Sequence, residues 1–174
     1  MKIYTYQLPL TKGSTQEVTL YDESEKPQYL FKRVYKSFFH QIFDGRIGNF
    51  QFLSEFHGYD LKGNKVVRAY NKYSLTSSET LLQLDKESLF IAKFEGFNSI
   101  TPTYHIKSEV IQIFSTIDTK RFVQFYEDKQ LIASIQLYFK PNIKSELKLY
   151  SAGTIQNPLF YVLCAQIFYF VGEY

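Results

Sequence analysis

The stretch from Asn157 to Val171 limits what this chain can fold into more than any other segment. Asn157 is a good N-cap and Pro158 suits the first helical position. The chain then reads Leu159-Phe160-Tyr161-Val162-Leu163-Cys164-Ala165-Gln166-Ile167-Phe168-Tyr169-Phe170-Val171, apolar almost all round. Its length favours a helix, although its β-branched and aromatic residues pull toward a strand. A helix without a polar face has to be enclosed, either by protein or by lipid. About 14 helical residues rise roughly 21 Å, short of the ~30 Å hydrocarbon core of a bilayer. The expectation is a helix over 158–171 enclosed by the rest of the chain, with Leu163, Ile167 and Phe170 in the core. A membrane anchor is the alternative.

The rest of the chain supplies strands to enclose it. The clearest is 131–139, where Leu131, Ala133, Ile135, Leu137 and Phe139 share one face and Ile132, Ser134, Gln136 and Tyr138 the other. Shorter runs of the same kind fall at 3–8, 17–21, 29–35, 49–56, 65–73, 89–94, 104–107, 110–114, 121–126 and 146–150. The 17 Phe and 15 Tyr, with no Trp and one Met, suit pleated, half-buried surfaces. Some eleven short strands point to a barrel or a sandwich. Nothing in the 174 residues separates two cores, so 1–174 reads as one domain.

Four segments repeat one plan: an apolar residue, an acid, a polar turn and a return strand. They begin at Tyr21-Asp22, Tyr59-Asp60, Leu84-Asp85 and Tyr126-Glu127, and each reads as a hairpin whose acid bonds local backbone amides. Two stretches break the β pattern. Ser37–Phe43 reads as a helical turn or an aromatic connection, and Thr76-Ser77-Ser78-Glu79 ahead of Leu81-Leu82 matches a capping box.

With its serial hairpins, exemplified by Tyr59-Asp60-Leu61-Lys62-Gly63-Asn64-Lys65-Val66-Val67-Arg68, and its apolar terminal helix, the chain resembles the tubby C-terminal-like superfamily. That group includes the tubby domains, the phospholipid scramblases and the LURP-one-related proteins, and the resemblance covers nearly the whole chain. It implies a mainly β fold: a closed barrel of about a dozen antiparallel strands around a central apolar C-terminal helix. It also implies membrane-lipid binding as a general habit, without assigning residues.

Chemistry-bearing patterns are sparse. His40, His57 and His105 are scattered, and Cys164 sits in the apolar run, so no pair has metal-ligand spacing. There is no Gly-x-Ser-x-Gly elbow and no Gly-rich phosphate loop. Glu127-Asp128 falls in a turn, where solvation explains it. The expectation is a domain with no catalytic activity, no metal and no cofactor. A single cysteine and an alternating N-terminus suit a cytoplasmic setting.

Twenty basic residues against 17 acidic give a net charge of only +3, too weak for a nucleic-acid partner, so any anion site has to be local. The best candidate is 59–73, where Lys62, Lys65, Arg68 and Lys72 face Asp60 alone. On a strand, Arg68, Tyr70 and Lys72 share one face and Val67, Ala69 and Tyr73 the other. Lys65, Arg68, Tyr70 and Lys72 are therefore the expected contacts for anionic phospholipid at the inner membrane face. An ordinary solvated strand face is the bland alternative. Lys32, Arg33 and Lys36 form a second basic cluster, offset by Asp22, Glu23 and Glu25. Competing functional readings are a protein-interaction module using Phe38, Phe39 and Phe43, and a small-ligand carrier, which would need a large enclosed cavity.

Overall fold

The turn chemistry is the most regular feature of the folded chain. In the computed structural model, which describes residues 1–9, 14–44, 54–73, 78–85, 88–98, 101–138 and 144–169, three turns are built alike. Asp22, Asp60 and Asp118 each accept two backbone amides on one carboxylate oxygen, from the residues two and four places on. In each, the residue three places on lies in the left-handed region: Glu25 at φ 56°, Gly63 at 84° and Arg121 at 65°. The carboxylate does locally what a second strand would otherwise have to do, so the hairpins at Asp22 and Asp60 close as expected. Asp118 is a third copy that the repeat reading did not include.

These turns join twelve strands among the described residues. In chain order they are β1 (Lys2–Tyr6), β2 (Val18–Asp22), β3 (Pro27–Tyr35), β4 (Ser54–Asp60), β5 (Lys65–Tyr73) and β6 (Ser78–Leu84). Then come β7 (Ser88–Asn98), β8 (Thr101–Lys107), β9 (Gln112–Ile117), β10 (Phe122–Glu127), β11 (Gln130–Gln136) and β12 (Ser145–Leu149). Each pairs antiparallel with its neighbours in sequence, and β1 pairs with β12 from Lys2↔Leu149 to Tyr6↔Ser145, so the barrel closes. Closure leaves no edge strand exposed. Among the described residues there are also two helices, α1 (Phe38–Asp44) and α2 (Pro158–Phe168).

All eleven residues of α2 are buried, and nine of them join the inward side chains of the barrel in one core. Asn157 caps α2, its side-chain oxygen accepting from the Leu159 amide at 3.0 Å. Gly58 on β4 lets the helix come close, because a Cβ there would lie 2.8 Å from Leu159 Cδ1. Rings lock α2 to two places on the wall, with Phe160 edge-on to Phe90 of β7 and Tyr161 edge-on to Phe125 of β10. The polar tips are met at both ends. The Tyr161 hydroxyl donates to the Ile155 carbonyl at 2.8 Å, and the Tyr169 hydroxyl bonds Ser115 Oγ at 3.0 Å. Leu163 and Ile167 are buried as expected. Phe170 and Val171 lie outside the described residues.

Two local expectations change, and one open reading is resolved. Ser78 and Glu79 begin β6, and no helix is capped there; Thr76 and Ser77 lie outside the described residues. Adjacent Leu81 and Leu82 had hidden the strand, since both are buried although they point to opposite faces. Ser37–Phe43 contributes the short helix α1. Glu127 is not merely solvated: its carboxylate accepts Thr154 N at 2.8 Å and Thr154 Oγ1 at 2.7 Å, holding the segment that leads into α2.

Candidate anion-binding face

Pairing of β4 with β5 decides where the expected site residues point. Val67 and Ala69 turn inward and are buried, so Arg68 and Tyr70 turn outward, while Lys65 and Lys72 are exposed near the two ends of β5. The register sets His57 opposite Arg68 and Glu55 opposite Tyr70, and on the other side of β4 it sets Lys32 opposite His57. One outward surface thus carries Lys32, Glu55, His57, Arg68, Tyr70 and Lys72.

Glu55 organises that surface. It accepts Arg68 Nε and Arg68 Nη2, each at 2.9 Å, a bidentate geometry that fixes the guanidinium. His57 Nε2 lies 3.0 Å from the same carboxylate, and Lys36 Nζ approaches to 3.9 Å. The His57 Nδ1 nitrogen in turn lies 3.3 Å from the Tyr59 hydroxyl. Burial pushes the Glu55 carboxyl up, but the bonds from Arg68 and His57 outweigh it and hold it below its ordinary 4.5. For His57, burial dominates and depresses the imidazole below 6.5, helped by the nearby Lys65 and Arg68 charges and opposed by Glu55.

The four expected contacts therefore differ in kind. Lys65 and Lys72 present charge to solvent. Arg68 is engaged by Glu55, with its side chain about one-third exposed at 34%. Its guanidinium lies 4.2 Å from the centre of the Tyr70 ring, so one face of that ring is covered. Glu55 and His57 were missed in the sequence, because a register shift between Gly58 and Tyr59, which the hairpin at Asp60 does not announce, is what brings them to Arg68 and Tyr70.

The second basic cluster does not stay together. Lys32 points outward and meets Glu17 at 3.9 Å, and Lys36 turns toward Glu55. Arg33 goes inward, is buried, and lies 5.0 Å from the centre of the Phe56 ring. Of the acids expected to offset the cluster, Asp22 is used in its own turn and Glu25 pairs with Lys144 at 3.1 Å.

Other chemistry is limited. Cys164 is buried in α2 and burial pushes its thiol well up, away from the reactive thiolate. His105 pairs with Glu95 at 3.0 Å. Among the described residues, no three His, Cys, Asp or Glu side chains group as a metal ion would require. The cavity beside Gln166, Arg33 and Phe56 is about 20 Å³, water-sized, because α2 takes the space a carried ligand would need. Among the described residues, no helix is long and apolar enough to cross a membrane.

Comparison with known proteins gives one result. Residues 4–171 match the family model of the Tubby C-terminal like domain. Searches of curated proteins and of solved structures return no match.

Proposed function

The chain belongs to the Tubby C-terminal like family, and from that premise we propose that it is a non-enzymatic domain attaching to anionic phospholipid through the outward face of β5. Domains of this family are in general non-enzymatic and bind phospholipids or proteins. The observation that carries the reading is the charge on this face: Lys65, Arg68 and Lys72, flanked by Lys32 and Lys36, outnumber the carboxylates beside them, which are Glu55 next to Arg68, Glu17 next to Lys32 and Glu79 opposite Lys72.

The spacing of the lysines supports an extended contact. Lys65 and Lys72 are seven residues apart on one strand, roughly 23 Å at ~3.3 Å per residue. No single headgroup reaches both. The partner is then a continuous charged surface such as the inner face of a membrane. Each exposed lysine contributes about 1 kcal/mol near an anionic leaflet, and the charge on Arg68 is largely offset by Glu55. Attachment is weak and salt-sensitive, the behaviour of a peripheral protein.

The test is co-sedimentation with phosphatidylserine vesicles at low and at physiological salt. Lys65→Glu with Lys72→Glu is the cleaner variant, because replacing Arg68 would strand Glu55. Binding should be clear at low salt and fall steeply with added salt or in the double variant. Absence of binding to these vesicles at low ionic strength overturns the reading.

A second reading rests on Phe38 and Phe39, which are 71% and 69% exposed. It makes the domain a protein-interaction module with an aromatic interface. Such an interface tolerates salt and the lysine changes alike.

A further inference from the structure

Phe38 and Phe39 are the most exposed aromatic side chains among the described residues, and they are adjacent. They open α1, a seven-residue helix that packs on β3 and β4. Two neighbouring rings held in water are unfavourable unless something covers them. Phe43 belongs to the same helix, but its side chain lies outside the described part.

Their surroundings say what covers them. Lys36, its side chain 71% exposed, stands two residues before the helix and reaches to 3.9 Å from Glu55, the carboxylate that binds Arg68. Lys32 and Phe38 line one open groove of about 490 Å³ between β3 and α1, together with Thr15, Val34 and Gln41. In this barrel β3 and β5 run the same way, so α1 and Lys72 leave from the same end. The aromatic pair is therefore bracketed by cations, and it adjoins the face assigned to lipid.

We propose that α1 is an interfacial wedge: Phe38 and Phe39 enter the boundary between headgroups and acyl chains of an anionic bilayer, while Lys32, Lys36 and Lys72 meet the headgroup phosphates. This rests on the lipid-binding reading above and adds a tilt: the outward face of β5 lies along the headgroups, with Lys65 and Lys72 both on them, and the α1 end dips below that level into the acyl boundary. Charge complementarity favours lipid over a protein partner, since the rings supply apolar burial and the lysines supply attraction to one negative surface. The two contributions are separable. Salt screens the lysines, whereas ring insertion persists.

The chain has no Trp, so one introduced indole is a clean reporter. Phe38→Trp and Phe39→Trp are compared with Leu61→Trp, an exposed position in the β4–β5 hairpin at the opposite end of the barrel. The vesicles are phosphatidylcholine with phosphatidylserine, with or without brominated acyl chains. The expected result is a blue shift and bromine quenching at 38 and 39, and neither at 61. Phe38→Ser with Phe39→Ser should keep the wild-type melting profile and lose vesicle affinity by about tenfold or more, most visibly at physiological salt. Vesicle binding with no quenching at 38 or 39 overturns the wedge, leaves the lysine-based attachment standing and returns the rings to a protein surface. Quenching at 61 instead overturns the tilt. No vesicle binding at low salt overturns both readings together.

Discussion

The two ends of the barrel are built on different principles. At one end the chain returns through short hairpins between β2 and β3, β4 and β5, β6 and β7, and β10 and β11, and α2 enters there at Pro158. Their turns are closed by the chain's own side chains, as at Asp22 and Asp60. The other end carries the longer connections between β1 and β2, β3 and β4, and β11 and β12, together with α1 and the exit of α2. Most of the first end is fixed by contacts within a few residues. The second presents Phe38, Phe39 and Lys72 outward, together with Lys36, whose ammonium also reaches to 3.9 Å from Glu55. The same aspartate turn also serves at the second end, at Asp118 between β9 and β10, so what sets that end apart is its longer connections, which carry α1 outward and leave it available to a partner.

The largest effect should come from removing what joins the two ends. Deleting residues 158–174 takes out α2 and uncovers the inward faces of the strands, including Phe90 and Phe125. Each fully buried ring lost to such a change costs about 3–5 kcal/mol, against a total stability of about 5–15. The truncated chain should lose its near-UV circular dichroism and its cooperative melt. If both survive, the barrel stands without its helix and the ends are independent.

A smaller effect should separate the turns from the packing around them. Gly63 has no atom within 4 Å of where a Cβ would sit, yet its φ is +84°. Gly63→Ala should therefore cost about 1 kcal/mol from backbone conformation alone. Glu25 holds the same place in its own turn at φ 56°, without a glycine's freedom. Glu25→Gly should stabilise, by somewhat less than that, since it also gives up the exposed pair with Lys144. Urea denaturation measures both. The same sign for the two changes would show that the turns are not equivalent.

This difference also explains what could be read from the sequence. The hairpin end was legible because Asp22, Asp60 and Gly63 each act within four residues, the range over which side-chain type determines conformation. The terminal helix was legible because nearly every residue from Leu159 to Phe168 demands burial. β6 was not, because its Ser78-Glu79 start imitates a helix cap and its paired leucines break the alternation. The candidate face was half legible. Alternation gave Arg68, Tyr70 and Lys72 their direction, but the Glu55 carboxylate that restrains Arg68 lies 13 residues away and becomes a neighbour only through strand pairing. Arg33 shows the same limit, since it sits among basic residues in the chain and inside the barrel in the fold.

The smallest predicted effect is a pH dependence centred on the Glu55–His57–Arg68 group. Burial disfavours the imidazolium, so folded His57 titrates below its ordinary 6.5, and on acidification the unfolded chain takes up the proton first. The stability associated with neutral His57 is thus fully present above pH 6.5 and is lost as pH falls through the depressed folded value. Glu55 acts in the same direction further down. Its carboxylate is held below 4.5, so its contribution is present above 4.5 and lost as pH falls through that lower value. His57→Gln keeps an N–H donor for Glu55 while removing the titration. The wild type should become less stable between pH 7 and pH 5, whereas His57→Gln should lose less over that interval, and both should fall below pH 4.5. Equal slopes for the two proteins above pH 5 would remove His57 as the cause. A slope that appears in vesicle binding but not in stability would place the titration at the bilayer contact and outside this cluster. The cluster lies between the hairpin at Asp60 and the α1 end, so the outcome tests whether the lipid-facing end draws its rigidity from β4 and β5 or supplies its own.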